Sequence, residues 1–402
     1  MLRLVVKAER LLEKKRSMKR YCKNVDITDR RLISKAVKEC LKGKIGRRDV
    51  VALLSEYTHT PQSLLRKIVK DKQYKMLEPA IETVIDGIRH EILQGKYHWK
   101  PIWYTYKKEC DKIRRIGIQG IKQQLYDYIA VYGLREMLQK RIGYYQCAAI
   151  KNKGQVVGKN AIKKWLRNKK LRYGWKGDAR HYYENIDVDT LKMILQKYVA
   201  NKQLVNLICL LIDSFESGLS IGSYLSQYLA NLYMSFLYEY ASHRLYKIRR
   251  HKDGTKSKVK LIYKILIYMD DIFALGKSKK DVKMASKILR EWSMDKLKIE
   301  IKPEDETVDF KTGYVDMMGF LISRQKVIVR SRIFRRYRRS NKKARKLGMV
   351  SPAAAKTISS RHGWMTNADS KRWIRKNKAD IVLTGCKEAI KNGTNVFYRK
   401  TA

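Results

Sequence analysis

Apolar residues in the first hundred positions recur at the spacing of one helix face, among many basic residues. Two stretches, 29–41 and 62–94 with breaks, carry this pattern most clearly, so residues 1–100 predict a basic helical segment without recognisable chemistry. The pattern changes at 101–106 to β-branched and aromatic residues, which predict the start of a strand. A charged turn is predicted over 107–115, after which the chain returns to apolar residues.

Helices and strands alternate through the middle of the chain. Gly154 to Gly158 predicts a turn before a helix over Asn160 to Arg167, and a short strand near Tyr173 leads to Asp178. The other predicted elements are a helix from Asp189 with Leu191, Ile194, Leu195 and Tyr198 on one face, a long helix from Ser226 past Tyr240, and a basic hairpin or loop over 249–260.

Two adjacent acids, Asp270 and Asp271, interrupt the most strand-like part of the sequence. The arms on either side, 261–267 and 272–276, consist mainly of β-branched, aromatic and other apolar residues, which predicts a buried hairpin with both acids in its turn. Neighbouring carboxylates in apolar surroundings repel each other and lose hydration, and a divalent cation relieves both costs. A polar turn exposed to water is the alternative interpretation.

The sequence after this hairpin predicts more helix. Ser278 followed by Asp281 is typical of a capped helix start, and Val282, Ala285, Leu289 and Trp292 continue it as an apolar stripe. Strand, helix, hairpin and helix in this order indicate an α+β fold.

A run without acids, RIFRRYRRSNKKARK at 332–346, predicts a basic helix. A solvated helix face is the usual explanation for such a run. Its charge density and the embedded Phe334 and Tyr337 favour instead a helix that lies along a phosphate backbone. Residues 359–402 predict a polar helical tail.

The composition restricts the partners of this protein. Lys and Arg number 90 against 38 Asp and Glu, a formal net charge of +52, while 44% hydrophobic residues suffice for a folded core. A polyanion offsets self-repulsion of this size, and 26 Tyr and 7 Trp among the cations suit nucleic acid better than a membrane surface. The 6 scattered cysteines form no CxxC pair, and no apolar run reaches transmembrane length, so a reducing cytoplasm is the expected location.

The paired acids need a third carboxylate if they are to carry chemistry. Transfer of a phosphoryl group to a growing strand uses two metal ions about 4 Å apart, held by carboxylates from separate strands. Asp178, at a predicted strand end and followed by Tyr182 and Tyr183, is the candidate; a turn or helix cap is the alternative. Between the acids, a Gly-containing turn enters a helix that Ser226 is expected to cap.

At these residues the chain resembles the reverse transcriptases, in particular those of prokaryotes. The order D-x-x-x-x-[FY], G-x-x-x-S-Q, YMDD and a later lysine spans residues 171–320, while the first hundred residues and the last forty match weakly or not at all. The resemblance implies an α+β right-hand polymerase that synthesises DNA on an RNA template. It also implies four domains: a helical basic N-terminal extension (1–100), fingers (101–170), a palm with the catalytic acids and a primer-grip hairpin (171–324), and a basic helical thumb with a C-terminal tail (325–402).

The same resemblance implies a role for each matched residue. Asp178, Asp270 and Asp271 are the expected catalytic acids and ligands of two Mg²⁺ ions, for which Mn²⁺ can substitute. The expected nucleotide-binding residues are Lys112, Arg114, Tyr183, Ile221, Gly222, Ser226, Gln227 and Lys302. Among them, Tyr183 would crowd a ribose 2′-hydroxyl and Lys302 would lie near the leaving pyrophosphate. The expected primer- and template-binding residues are Gly319, Phe320, Arg335, Arg338, Arg339, Lys342 and Lys343.

The residue at position 221 distinguishes kinds of reverse transcriptase. Many relatives carry Q-G-x-x-x-S-P, whereas I-G-x-x-x-S-Q at 221–227 resembles the enzymes of diversity-generating retroelements, which are associated with error-prone copying, especially opposite template adenine. The expected partners are an RNA template, a DNA or RNA primer, dNTPs, a structured non-coding RNA and a small accessory protein, with no membrane. Two alternatives stay open: an antiphage-defence reverse transcriptase that copies a cognate non-coding RNA, and a catalytically idle RNA-binding protein on the same scaffold.

Overall fold

The computed structural model describes residues 19–109, 112–304 and 306–397. The start of the predicted N-terminal helical segment, residues 1–18, and the last five residues of the predicted tail lie outside this described part. The chain divides into two compact units, each built from segments that are distant in sequence. Among the described residues, the first unit comprises 19–143, 181–235 and 295–299, and the second comprises 144–180, 236–294 and 300–397.

The elements are numbered here in chain order. The helices are α1 (Arg30–Leu41), α2 (Arg48–Thr58), α3 (Gln62–Lys70), α4 (Glu78–Gln94), α5 (Ile121–Gly133), α6 (Arg135–Arg141), α7 (Gln155–Leu166), α8 (Val188–Tyr198), α9 (Lys202–Asp213), α10 (Tyr224–His243), α11 (Lys279–Leu297), α12 (Ser331–Leu347), α13 (Pro352–Thr366), α14 (Lys371–Lys376) and α15 (Ala379–Asn392). The strands are β1 (Trp103–Glu109), β2 (Lys112–Ile118), β3 (Gln146–Cys147), β4 (Tyr173–Asp178), β5 (Tyr246–Arg250), β6 (Lys256–Lys260), β7 (Lys264–Tyr268), β8 (Asp271–Gly276), β9 (Glu306–Asp309), β10 (Tyr314–Met317), β11 (Phe320–Ser323), β12 (Val327–Val329), β13 (Met349–Val350) and β14 (Val396–Phe397).

The first unit is largely helical, and the helices predicted over 29–41 and 62–94 are confirmed. Asp29 caps α1, because its carboxylate accepts a hydrogen bond from the Arg31 backbone N–H. The single antiparallel ribbon among the described residues of this unit pairs β1 with β2. The predicted turn over 107–115 was wrong in extent, because most of that segment is paired strand.

The second unit contains a five-stranded sheet in the order β3-β7-β8-β4-β9. Only β3 and β7 run parallel; the remaining neighbours are antiparallel. Trp175 in β4, Phe273 in β8 and Phe310, which follows β9, are fully buried. A Cβ on Gly174 would lie 2.6 Å from the Phe310 ring, so a glycine in this strand allows the two phenylalanines to pack against it.

Several other predicted elements are confirmed, with shifted boundaries. The basic hairpin is β5 paired with β6, and the hairpin with the acids is β7 paired with β8. The Asp281 backbone N–H lies 3.4 Å from Ser278 Oγ, as expected for the capped start of α11. The helix predicted from Asn160 begins at Gln155 instead, so the expected turn at Gly158 is helical.

No helix within the described ranges is both long enough and apolar enough to cross a membrane. The predicted tail is mostly helical, in α13, α14 and α15, but it is not simply polar. Met365, Val382 and Cys386 are buried in the same core as the basic helix α12.

Candidate active site

The acidic hairpin is built by two strands whose side chains are almost all apolar. Ile265, Leu266 and Ile267 in β7 are buried, as is every residue of β8 after Asp271. Tyr268 pairs with Asp271, so the connection is a two-residue turn, Met269-Asp270. Met269 has a φ of 54°, an uncommon left-handed conformation for a residue with a side chain. The buried arms therefore hold both acids at the end of a rigid hairpin.

The structure brings Asp178 to this same turn. β4 lies beside β8, and Asp178 is the register partner of Asp271. Directly opposite residues on neighbouring strands point to one face with Cβ atoms about 5 Å apart. The Ala179 N–H donates to the Asp270 carbonyl over 2.9 Å, which ties the end of β4 to the turn. The three acids predicted from separate parts of the sequence are thus neighbours.

Their proximity changes the electrostatics of Asp271. Burial of this half-buried carboxyl, reinforced by the negative charges of Asp270 and Asp178, raises its pKa to about 7. Lys176 and Arg330 act in the opposite direction without cancelling the rise. The carboxyl is therefore held where its charged form is unfavourable, and a bound cation would relieve that strain.

Lys302 occupies part of this site. Its Nζ lies 2.7 Å from Asp178 Oδ1, and its backbone N–H donates to the Asp178 carbonyl over 2.9 Å. The hydrogen bond that Lys302 donates to the Asp178 carboxylate raises the pKa of Lys302. The lysine predicted to meet the pyrophosphate therefore directly contacts one of the predicted catalytic acids.

The donor set suits a hard divalent cation, since Mg²⁺ prefers carboxylate oxygens. Within the described residues, no group of three or more His, Cys, Asp or Glu side chains is already gathered as a ligand set. Asp178 is engaged by Lys302 in this arrangement. The three carboxylates fit Mg²⁺ by chemistry and strand position, and the contact of Lys302 with Asp178 is made at Oδ1, one of the two carboxylate oxygens.

In the first unit, the turn at Ile221-Gly222 packs directly on strand β2. The Gly117 N–H donates to the Ile221 carbonyl over 2.9 Å. Gly222 has a φ of +115°, and a Cβ there would lie 2.5 Å from the Gly117 carbonyl oxygen. Only glycine permits this approach. Two predicted nucleotide-binding segments, the turn and the strand carrying the exposed Arg114, are therefore joined. Lys112 begins that strand, but its side chain lies outside the described part.

The helix after this turn is capped differently from the prediction. The capping residue is Ser223, and not Ser226 as predicted. The Ser223 Oγ accepts a hydrogen bond from the Ser226 backbone N–H over 3.1 Å. Ser226 is fully buried, and its Oγ has no hydrogen-bond partner within the described ranges. Gln227 is half-buried one residue further along α10. The prediction that Ser226 caps this helix was therefore wrong, because Ser226 lies inside α10 and Ser223 precedes it.

Sequence reasoning missed Asp127, which supports the same turn from α5. It is completely buried, and its Oδ2 accepts the Ser223 hydroxyl over 2.7 Å and the Leu225 N–H over 3.3 Å. Burial raises its pKa to about 6, although these hydrogen bonds lower it. The available signal was an acid inside the largely apolar stretch 125–131. Asp127 positions the start of α10 and the turn before it.

Tyr183 and Tyr182 are neighbours with different environments. Tyr182 is buried, and its hydroxyl donates to the Ala230 carbonyl over 2.6 Å. Tyr183 is half-buried, and its carbonyl accepts the Leu219 N–H over 2.8 Å. Of the two rings, Tyr183 is thus the one accessible to a ligand, and its backbone lies next to the glycine-containing turn.

The hairpin predicted as a primer grip has a tight turn at Met318-Gly319. Both residues have positive φ, 55° and 80°, and a Cβ on Gly319 would lie 2.4 Å from the Trp364 ring. Phe320 is fully buried against Trp364, with Lys159 Nζ 5.5 Å from its ring centroid. The expectation of nucleic-acid contact through the Phe320 side chain is therefore corrected: this ring anchors the hairpin in the core.

Helix α12 has a clearly divided surface. The five cations expected to contact nucleic acid are all exposed: Arg335, Arg338, Arg339, Lys342 and Lys343. Tyr337 is fully buried, where its hydroxyl lies 2.7 Å from His362 Nδ1, and Phe334 packs edge-on against Trp373. The aromatic residues that were expected to face a phosphate backbone thus face the core instead.

Comparison with known proteins adds one match. A family model described as "Reverse transcriptase (RNA-dependent DNA polymerase)" matches residues 105–320, or 216 of the 402 residues. The matched segment contains Asp178, Asp270 and Asp271, the turn at Ile221-Gly222, and Lys302. A search of curated proteins finds no match.

Proposed function

This chain belongs to the reverse transcriptase family and is an RNA-directed DNA polymerase; we propose that it works by two-metal nucleotidyl transfer and serves a diversity-generating retroelement. The observation that carries the mechanism is the register pairing of Asp178 with Asp271, with Asp270 in the adjoining turn. Two Mg²⁺ ions on these carboxylates, with Mn²⁺ as a substitute, would activate the primer 3′-hydroxyl and neutralise the triphosphate.

Lys302 has a second role in this proposal. While Asp178 carries no cation, the lysine neutralises it across 2.7 Å. A cation held by Asp178 would weaken this contact, and the ammonium group of Lys302 would then be available to the negative charge of the leaving pyrophosphate. The contact therefore keeps a positive group ready beside the site of charge development.

The proposed nucleotide-selecting residues lie in the first unit. Tyr183 excludes the ribose 2′-hydroxyl by steric contact, and Gly222 allows close approach of a nucleotide to the backbone. Lys112 and Arg114 bind the triphosphate. Ser226 and Gln227 shape the start of α10, which Asp127 supports through Ser223.

The proposed right-hand architecture follows the expected boundaries: an N-terminal helical extension (1–100), fingers (101–170), palm (171–324) and a thumb with the C-terminal tail (325–402). In this assignment the Gly319 turn grips the primer end through its backbone. The exposed cations of α12, from Arg335 to Lys343, contact the primer–template backbone.

The retroelement role is supported by Ile221. An apolar side chain offers shape and dispersion to a base pair, whereas the Gln of many relatives can hydrogen-bond to it. A polar contact worth about 1 kcal/mol would otherwise penalise misaligned pairs. The proposed partners in this role are a structured non-coding RNA and a small accessory protein.

Sequencing of cDNA copied from a defined RNA tests this role. We expect frequent misincorporation opposite template adenine by the wild type, and fewer errors by Ile221→Gln at similar extension rates. Ile221→Val is the matched control, since it stays apolar, and should keep the wild-type error spectrum. Accurate copying by the wild type would instead favour an antiphage-defence enzyme, and identical spectra for all three proteins would remove Ile221 from the proposal.

Ribonucleotide discrimination tests the assignment of Tyr183. Tyr183→Val should raise the incorporation of ribonucleotides relative to deoxynucleotides, whereas Tyr183→Phe, which keeps the ring, should leave the ratio close to wild type. Equal ratios for all three proteins would mean that the ring does not meet the sugar.

A further inference from the structure

The basic hairpin formed by β5 and β6 presents two different faces. Because side chains alternate along a strand and register partners share a face, the pairing divides the ribbon into two sets. One set, here called the lysine face, consists of Tyr246, Ile248, Arg250, Lys256, Lys258 and Lys260. The opposite set consists of Lys247, Arg249, Ser257 and Val259.

Every residue of the lysine face is exposed. Ile248, in the middle of β5, has an exposed fraction of 52%, and Tyr246, at the start of the same strand, has one of 38%. The face carries four cations and no acid. Lys258 Nζ lies 4.7 Å from the centroid of the Tyr246 ring, so an aromatic ring and a positive charge form one surface.

The opposite face and the base anchor the hairpin. Lys247 forms an ion pair with Asp281 at the start of α11, and Ser257 and Val259 are half-buried. At the base, Leu245 and Leu261 are buried and joined by a backbone hydrogen bond of 3.2 Å. At the tip, Asp253 accepts hydrogen bonds from the N–H and hydroxyl of Thr255. The lysine face is thus held outward by the structure around it.

The chemistry of the lysine face is divided between its two strands. β6 supplies Lys256, Lys258 and Lys260 in a row, with about 6.7 Å between successive side chains on one face. This spacing is comparable to the step between neighbouring phosphates of an extended polynucleotide strand. β5 supplies Tyr246 and Ile248 beside them, which suits unstacked bases rather than the closed edge of a duplex.

We propose that the lysine face binds single-stranded RNA, with phosphates along β6 and bases over Tyr246 and Ile248. The surface is additional to the acids, the nucleotide-binding segments and α12. Charge complementarity selects a polyanion, and the exposed aromatic and aliphatic side chains between the cations select one whose bases are free to stack. RNA waiting to be copied, or an unpaired segment of a bound RNA, has this chemistry.

The salt dependence of binding tests the phosphate contacts. The full chain is titrated with a fluorescein-labelled oligo-uridine at several salt concentrations, as wild type and as the triple variant Lys256→Ala/Lys258→Ala/Lys260→Ala. Loss of three contacts should make the slope of log K against log salt shallower by about 2. The matched control removes three exposed lysines of the first unit, Lys67, Lys70 and Lys75, and should leave the slope unchanged.

The aromatic contact is tested separately. Tyr246→Ala should weaken oligo-uridine binding by about tenfold through lost stacking, with no change in the salt slope, whereas Tyr246→Phe should bind like the wild type. Duplex RNA and polyglutamate, an acidic polypeptide, serve as competitors. Duplex RNA and polyglutamate should displace labelled oligo-uridine from the wild type less readily than from the triple variant.

Three results would overturn the proposal. Equal slopes for the triple variant and the α3-region control would mean that the lysines meet no phosphate. If the triple variant loses as much affinity for duplex RNA as for single-stranded RNA, the lysine face binds a duplex. If polyglutamate competes as strongly as unlabelled oligo-uridine, and the Tyr246 variants bind oligo-uridine like the wild type, the lysine face is a docking surface for an acidic protein.

Primer extension on a short primed template is measured in parallel for the same variants. Its rate should be unchanged, so a failure of the lysine-face proposal is distinct from a failure of the polymerase assignment.

Discussion

Two hairpins that follow one another in the chain, β5–β6 and β7–β8, place opposite charges in opposite environments. The first alternates apolar and basic residues, leaves one whole face exposed and carries cations. The second is apolar on both faces and carries carboxylates at its turn. Charge on the exposed hairpin is hydrated and needs no partner, whereas burial raises the pKa of Asp271 to about 7. Burial is therefore what makes the acidic hairpin dependent on a counter-charge.

The largest expected difference between the hairpins is in packing. Phe273 in β8 is fully buried and meets Phe310 edge-on, so Phe273→Ala should lower the free energy of unfolding by about 3–5 kcal/mol. Ile248 in β5 is 52% exposed, and Ile248→Ala should change the free energy of unfolding by less than about 0.5 kcal/mol. Urea denaturation measures both. Similar losses at the two positions would contradict the contrast in burial.

The next effect is electrostatic and depends on pH. Because the pKa of Asp271 is raised when folded, the wild type loses stability as pH rises from about 4 to about 7 in the absence of divalent metal. Asp271→Asn does not titrate, so it should be more stable than wild type by on the order of 1–3 kcal/mol at pH 8 and about equal to it at pH 4. Thermal unfolding in a chelator at several pH values measures this. A pH-independent difference would show that carboxylate repulsion is not the cause.

The smallest effect separates the two faces of the basic hairpin. Lys247→Ala removes the ion pair with Asp281 and should lower the free energy of unfolding by about 0.5–1 kcal/mol. Lys258→Ala on the lysine face should leave stability unchanged and weaken RNA binding. Denaturation and RNA titration of both variants test this division. If the two lysines behave alike in both measurements, the hairpin has no anchored face.

The sequence predicted the acidic hairpin well because its signals are local. Continuous apolar arms around a polar turn predict a buried hairpin whatever the rest of the fold. The short strand that ends at Asp178 was likewise predicted from the residues of that segment alone. The register that pairs Asp178 with Asp271 joins strands that are far apart in sequence. Local residue patterns therefore indicated a third carboxylate but could not predict its register partner.

The errors also have physical causes. Resemblance assigned Phe320 to primer and template binding, and Tyr337 within its basic run favoured a helix along a phosphate backbone, but both rings are buried in the second unit's core. Composition around an aromatic residue does not reveal which face of its element is covered. Asp127 and its hydrogen bond to Ser223 join residues 96 positions apart, and no spacing rule predicts such a pair.

The most direct test of the central claim is primer extension on an RNA template with Mg²⁺ by the wild type and by Asp270→Ala/Asp271→Ala. The wild type should synthesise cDNA. The double variant should lose synthesis by at least about a thousandfold while it binds RNA as tightly and, without metal, melts no lower than wild type, since removing neighbouring like charges relieves their repulsion. Synthesis by the double variant at the wild-type rate would show that these carboxylates are not the catalytic acids.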